Sequence, residues 1–163
     1  MCKFSFESFA NSIVGTWKGE GLGVFPTIKN FEFIEHLVFK KDEERAIIHY
    51  EQRTWLKPSS SQKRRSSHWE SGFISFENEE QFCMNNVHEN GRMECLNLNE
   101  IKMSKDSYQL LFESRLIIND ERMQTSKREW NFDSRKFNYE MFMGTKTVKQ
   151  QQLHLSACLI KEM

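Results

Sequence analysis

Proline is scarce in this chain, at two residues in 163, and no apolar run approaches the length that spans a membrane. The four cysteines, Cys2, Cys83, Cys95 and Cys158, include no C-x-x-C pair. That spacing argues against a zinc site and supplies no disulfide framework, so buried free thiols are expected. Charge of one sign is not in excess either. The 23 Lys and Arg balance 23 Asp and Glu, leaving no net field to draw the chain to nucleic acid or to an anionic membrane. There is no G-x-S-x-G elbow, no phosphate-binding loop and no H-E-x-x-H helix. His68-Trp69-Glu70 does contain H-x-E, but the downstream P-C-x-x-C that zinc deaminases require is missing. The N-terminus lacks the apolar stretch and cleavage site of a secretory leader. A soluble, cytoplasmic protein is expected. Lys63-Arg64-Arg65 leaves the nucleus open, although that run reads first as a solvated loop face.

What the chain has in abundance is phenylalanine, fourteen residues of it, and aromatic side chains favour strands and apolar cavities. The length predicts one domain, residues 1–163, large enough to enclose a small ligand. Four of the seven glycines fall in Gly15-Thr16-Trp17-Lys18-Gly19-Glu20-Gly21-Leu22-Gly23. Glycines at alternate positions around a Trp predict a strand whose backbone lies against something bulky, because each Gly removes a side chain from one face of the pleat. This strand is expected to end near Gly21, where Phe25-Pro26-Thr27 turns the chain back. Phe6 and Phe9 predict a short capping helix over 5–12 that buries both rings.

Further strands are predicted over 31–39, 46–55, 68–76, 81–87, 92–97, 100–103, 108–115, 123–131, 137–143 and 153–160. Residues 59–67 read as an exposed polar loop, and Asn90-Gly91 as a hairpin turn. Strands joined by short polar turns indicate an all-β fold, a roughly ten-stranded antiparallel barrel of the lipocalin or fatty-acid-binding-protein type with a short N-terminal helix. Glu35 interrupts a Phe-rich face and Glu70 sits among aromatics. Either could titrate abnormally, but salt bridges at the barrel mouth are the first expectation for both. In the last strand, alternation places Leu153, Leu155, Ala157 and Leu159 on one face and His154 on the other. If the leucines face inward, His154 reaches the interior only at the barrel mouth or through a bulge.

The motifs in order resemble the nitrobindin family, which also occurs as the C-terminal domain of some THAP proteins. Gly15, Trp17, Gly19 and Gly21 match its Gly-x-Trp-x-Gly-x-Gly, followed by Phe25-Pro26-Thr27-Ile28. His68-Trp69-Glu70-Ser71-Gly72-Phe73 is similar to its His-x-Glu-Ser-Gly-Phe. Met141-Phe142-Met143-Gly144-Thr145 and His154-Leu155-Ser156-Ala157-Cys158-Leu159 are similar to its C-terminal motifs. The resemblance implies a barrel holding ferric haem b, with His154 as the axial ligand of the iron, Thr27 against the haem and His68 toward the opposite face. It further implies nitric oxide binding and isomerisation of peroxynitrite to nitrate, with no catalytic group beyond the haem iron. Ser67, Gly144 and Leu153 depart from the family, standing in place of its common Met, Ala and Pro. Two other functions fit the same barrel: a non-catalytic carrier of a fatty-acid-like ligand, or a haem-based nitric oxide sensor or transporter. The expected partners are these small molecules, with neither nucleic acid nor membrane, and a homodimer stays open.

Overall fold

The computed structural model describes residues 4–58, 63–78 and 81–163. One helix, α1 (Phe6–Ile13), precedes ten strands: β1 (Gly15–Gly23), β2 (Phe31–Lys41), β3 (Ile47–Leu56), β4 (Arg65–Asn78), β5 (Gln81–His88), β6 (Met93–Met103), β7 (Ser107–Ile118), β8 (Met123–Asp133), β9 (Lys136–Thr145) and β10 (Gln152–Lys161). Each strand pairs antiparallel with the next, and β1 also pairs with β10, closing the barrel. Closure satisfies both edges of every strand, so no main-chain ladder is left open. Alternation sorts the side chains: Phe33, Glu35, Leu37 and Phe39 on β2 point inward, as do Ile48, Tyr50, Gln52 and Thr54 on β3.

Helix α1 plugs one end of the barrel. Ser5 caps its N-terminus, and Val14, in an extended conformation, ends it. Phe9, Ala10 and Ile13 are buried, with the Phe9 ring edge-on to Tyr108 and Phe132, while Phe6 is only partly buried. The motif tryptophan fastens this plug, since the buried Trp17 Nε1 donates to the Ile13 carbonyl at 2.8 Å. The helix end and β1 are thus joined by a hydrogen bond that a Phe at this position could not make.

The glycines do what their spacing predicts. A Cβ on Gly21 or Gly23 would strike the ring of Phe33 or Phe31, and one on Gly19 would strike the main-chain carbonyl of Cys158. The neighbouring strand and its aromatic rings therefore occupy the space the missing side chains leave. The strand runs on to Gly23, two residues past the predicted end, because Gly23 pairs with both Phe31 and Leu155.

Other differences have local causes. The two strands predicted over 92–97 and 100–103 are one strand, β6, with register shifts at Cys95/Leu96 and Leu98/Glu100 that break the alternation without breaking the pairing. Arg65, Ser66 and Ser67, expected in a loop, belong to β4. Arg65 and Ser66 pair with Leu56 and Trp55; residues 59–62 of the predicted loop lie outside the described residues. Cys83, Cys95 and Cys158 are free but not buried: two are half-buried and Cys158 is exposed, because they fall on outward-facing positions of their strands. Among the described residues no helix is long and apolar enough to cross a membrane.

Candidate functional site

At the end of the barrel opposite α1 the interior opens into a cavity of about 410 Å³. Its walls come from the β1–β2 loop, the first residues of β2, β4, β8 and β10 and the last of β3, β5 and β9, together with the adjoining turns. Antiparallel order brings these ends together and sends their partners to the helix plug. Phe25, Phe31, Phe33, Met141, Met143 and Leu155 supply apolar lining, and Thr27, His68 and His154 all border the cavity. Trp17 and Gly19 do not line it. They shape the barrel from which it is built. A larger concavity of about 990 Å³ runs over the outer surface, and of the sequence-predicted residues only Gly21 borders it.

His154 reaches the interior through a bulge near the barrel mouth, the two routes that parity left open being combined. The pairing of β10 with β9 shifts register between Leu153 and Leu155, so His154 and Leu155 both face the cavity and the alternation resumes inward at Ala157 and Leu159. The imidazole is buried, and its Nδ1 lies 2.8 Å from the Gln152 carbonyl. A carbonyl can only accept, so Nδ1 donates to it and Nε2 is the nitrogen left for a ligand. Phe25 sets the ring plane from the side, with centroids 4.9 Å apart at 72°. The His154 carbonyl accepts from Val24 N–H at 2.8 Å, tying this point of β10 to the start of the β1–β2 loop. An imidazole anchored through one nitrogen on a main-chain carbonyl, beside Phe and Met side chains, is a donor set that fits the iron and macrocycle of a haem.

Around the closed barrel β5 is five strands from β10 in either direction, so the wall facing His154 is built from β5 and its neighbours β4 and β6. This wall is polar. Glu70 Oε1 accepts from Tyr50 Oη at 2.8 Å and from Arg128 at 2.5 Å, while its Oε2 lies 3.0 Å from His68 Nε2. Arg128 also donates to Glu94 Oε2 at 2.8 Å. Burial by itself would raise both carboxyl groups. The Arg128 charge and the histidine contacts outweigh it, holding Glu70 well below the carboxylate range and Glu94 at about 2. Beside this network Glu35 accepts from Gln52 at 2.8 Å and from Tyr139 at 2.5 Å, and among the described residues no cation forms an ion pair with it. Burial dominates there, raising Glu35 to about 8 despite those hydrogen bonds. Neither carboxylate forms the mouth salt bridge expected from sequence: Glu70 is paired inside the barrel and Glu35 is a buried acid held by neutral donors.

Sequence reasoning missed His88, Arg92, Glu94 and Arg128. The signal was parity. Phe82, Met84, Asn86 and His88 share the inward face of β5, and Arg128 shares that of β8 with Trp130 and Phe132.

The chain matches, over residues 10–161, the family described as THAP4-like, heme-binding beta-barrel domain. It is 28% identical over 149 residues to an Arabidopsis thaliana protein named peroxynitrite isomerase Rv2717c, covering 91% of this chain and 84% of that one. It is 37% identical over 62 residues to a peroxynitrite isomerase of Nocardioides sp., a match spanning 38% of this chain and 37% of its relative. The crystal structure of Rv2717c from M. tuberculosis superposes with a TM-score of 0.82 at 21% identity, covering 97% of both chains, and shares the fold.

Proposed function

Because the chain belongs to the THAP4-like haem-binding β-barrel family, we propose that the cavity beside His154 holds ferric haem b, binds nitric oxide and isomerises peroxynitrite to nitrate. The observation that carries the reading is the contact of His154 Nδ1 with the Gln152 carbonyl, which leaves Nε2 as the nitrogen for an axial bond at a cavity partly lined by Phe and Met side chains. Bound haem would supply a Lewis-acidic iron for a rearrangement that needs no outside oxidant or reductant, since peroxynitrite and nitrate have the same atoms and charge.

The protein's own part is to hold and to shield. Gln152 and Phe25 fix the imidazole so that Nε2 points at one place. Phe31, Phe33, Met141 and Met143 exclude water around the reacting species, which keeps reactive fragments from escaping. Thr27, on the exposed β1–β2 loop, borders the same space, and His68 stands on the facing wall, where a small ligand would meet it.

The test is a haemin titration of the haem-free protein, wild type beside His154→Ala, read in the Soret band. One haemin per chain is expected for wild type, with a weakened or spectrally altered complex for the variant. Identical behaviour of both would remove the axial role of His154 and return the cavity to an apolar carrier. Nitrate yield from peroxynitrite, compared with free haemin, then separates turnover from sensing.

A further inference from the structure

We infer that His68, Glu70 and His88 form a second metal site, independent of the haem reading, for a divalent first-row transition ion such as Zn²⁺, Co²⁺ or Fe²⁺. One ligand atom from each converges within 4.8 Å of the others, on the wall opposite His154. Two imidazoles and one carboxylate are the donor set that such ions take when some positions are left to solvent or substrate. Both histidines line the cavity, which gives an ion its route in and leaves open positions on that side.

The surroundings are arranged as metal-binding histidines require. Each ring presents one nitrogen to Glu70 Oε2, His68 Nε2 at 3.0 Å and His88 Nδ1 at 3.4 Å. Each has a carboxylate facing its other nitrogen: Glu89 Oε2 lies 3.4 Å from His68 Nδ1, and Glu94 Oε2 lies 3.6 Å from His88 Nε2. Carboxylates hydrogen-bonded behind such rings orient the imidazoles and raise their basicity toward a metal, and Glu94 stands just beyond hydrogen-bond reach of His88 Nε2. Tyr50 and Arg128 both donate to Glu70 Oε1, which orients the carboxylate, and Arg128 Nη2 also reaches Oε2 at 3.2 Å, a contact that an ion would share or displace.

A separate observation points to a cation here. Arg92 lies 3.2 Å from His88 Nδ1, and an arginine can only donate, so that nitrogen bears a lone pair. Glu70 Oε2 stands 3.4 Å from that nitrogen and accepts from Arg128 Nη2 at 3.2 Å, so two guanidinium groups balance these acceptors in the metal-free chain and a bound ion would take over that part. The other nitrogen, His88 Nε2, has no hydrogen-bond partner among the described residues, although the ring is buried. To admit an ion Arg92 must leave Nδ1, and it has other anions at hand in Glu94 at 3.3 Å and Asp120 at 3.6 Å. Arg92 and Arg128 oppose a divalent charge, while Glu70 and Glu94 offset them.

The test uses the full chain without haem, titrated with Co²⁺ and read by its visible d–d absorption, with Zn²⁺ as competitor. Saturable binding of one Co²⁺ per chain, displaced by Zn²⁺, is expected. His88→Gln and His68→Ala should each weaken it by roughly tenfold or more, and His154→Ala should leave it unchanged. Circular dichroism and a thermal melt check folding. If the buried His88 variant does not fold, the half-buried His68 variant decides. No saturable binding by wild type, undiminished binding by the folded variants, or loss of binding in His154→Ala would each overturn the site. None of these outcomes depends on haem, so the proposed function is tested apart from it.

Discussion

Replacing Glu35 with Gln isolates a single buried proton. In the folded chain Glu35 is raised from its ordinary 4.5 to about 8, chiefly because burial disfavours its charged form. Between those two pH values the native state therefore holds a proton that the unfolded chain releases. Stability from this group is fully present below pH 4.5 and is lost as pH rises through about 8. At about 1.4 kcal/mol per pH unit, that interval corresponds to roughly 5 kcal/mol. For a domain of this size it amounts to a fall in melting temperature on the order of 10 °C or more. Glu35→Gln keeps the shape and stays neutral. Its amide carbonyl can accept from Gln52, while its NH2 can donate to Tyr139 after the phenol turns. Urea unfolding of the haem-free wild type and variant at each pH from 5 to 9 should give profiles that diverge by several kcal/mol, with the variant gaining relative to wild type as pH rises. Other groups, such as His36 with its lowered value, titrate in both proteins and drop out of the difference. Parallel profiles would show that Glu35 is ionised in the native state and would refute the assignment.

Gly19→Ala should destabilise the fold by about 1–3 kcal/mol in thermal melts, because its Cβ meets the main-chain carbonyl of Cys158, which has no rotamer to yield. Arg128→Met leaves Glu70 and Glu94 without their shared cation in the interior and should cost about 3–5 kcal/mol by urea unfolding. A double-mutant cycle with Glu70→Gln should then show strong coupling between the two positions. On the acid side the sign reverses. Glu94, held at about 2, contributes stability above its ordinary 4.5 that disappears as pH falls toward 2, about 3 kcal/mol in all. Acid unfolding of Glu94→Gln should accordingly be less steep than that of wild type.

The barrel was legible in the sequence because its determinants are local. Period-two alternation, Asn90-Gly91 and the polar turns specify strands and hairpins, and ten short antiparallel strands can satisfy their edges by closing. The glycine strand was legible for the same reason: alternate glycines imply a close neighbour, and Phe31, Phe33 and Cys158 are that neighbour. The Phe25-Pro26-Thr27 loop and His68 could be named from their motifs, and the structure sets both on the cavity.

What lay beyond the sequence was relative position across the barrel. Parity alone turned His154 outward, and the register shift that turns it inward arises where β10 pairs with β9, a relation between two strands rather than a property of either. Glu35 and Glu70 occupy equivalent inward positions on their strands, yet one is pushed up and the other pulled down. The difference is Arg128 on β8, set in direct contact with Glu70 by closure of the sheet, while Glu35 is hydrogen-bonded by the neutral Gln52 and Tyr139. His88 joins His68 and Glu70 because β5 pairs with β4 in a register that sets Glu70 opposite His88. Alternation determined which side chains enter the interior. Only the register and closure of the sheet decided which of them meet, because the energy of a buried charge depends on what lies a few ångströms away across space.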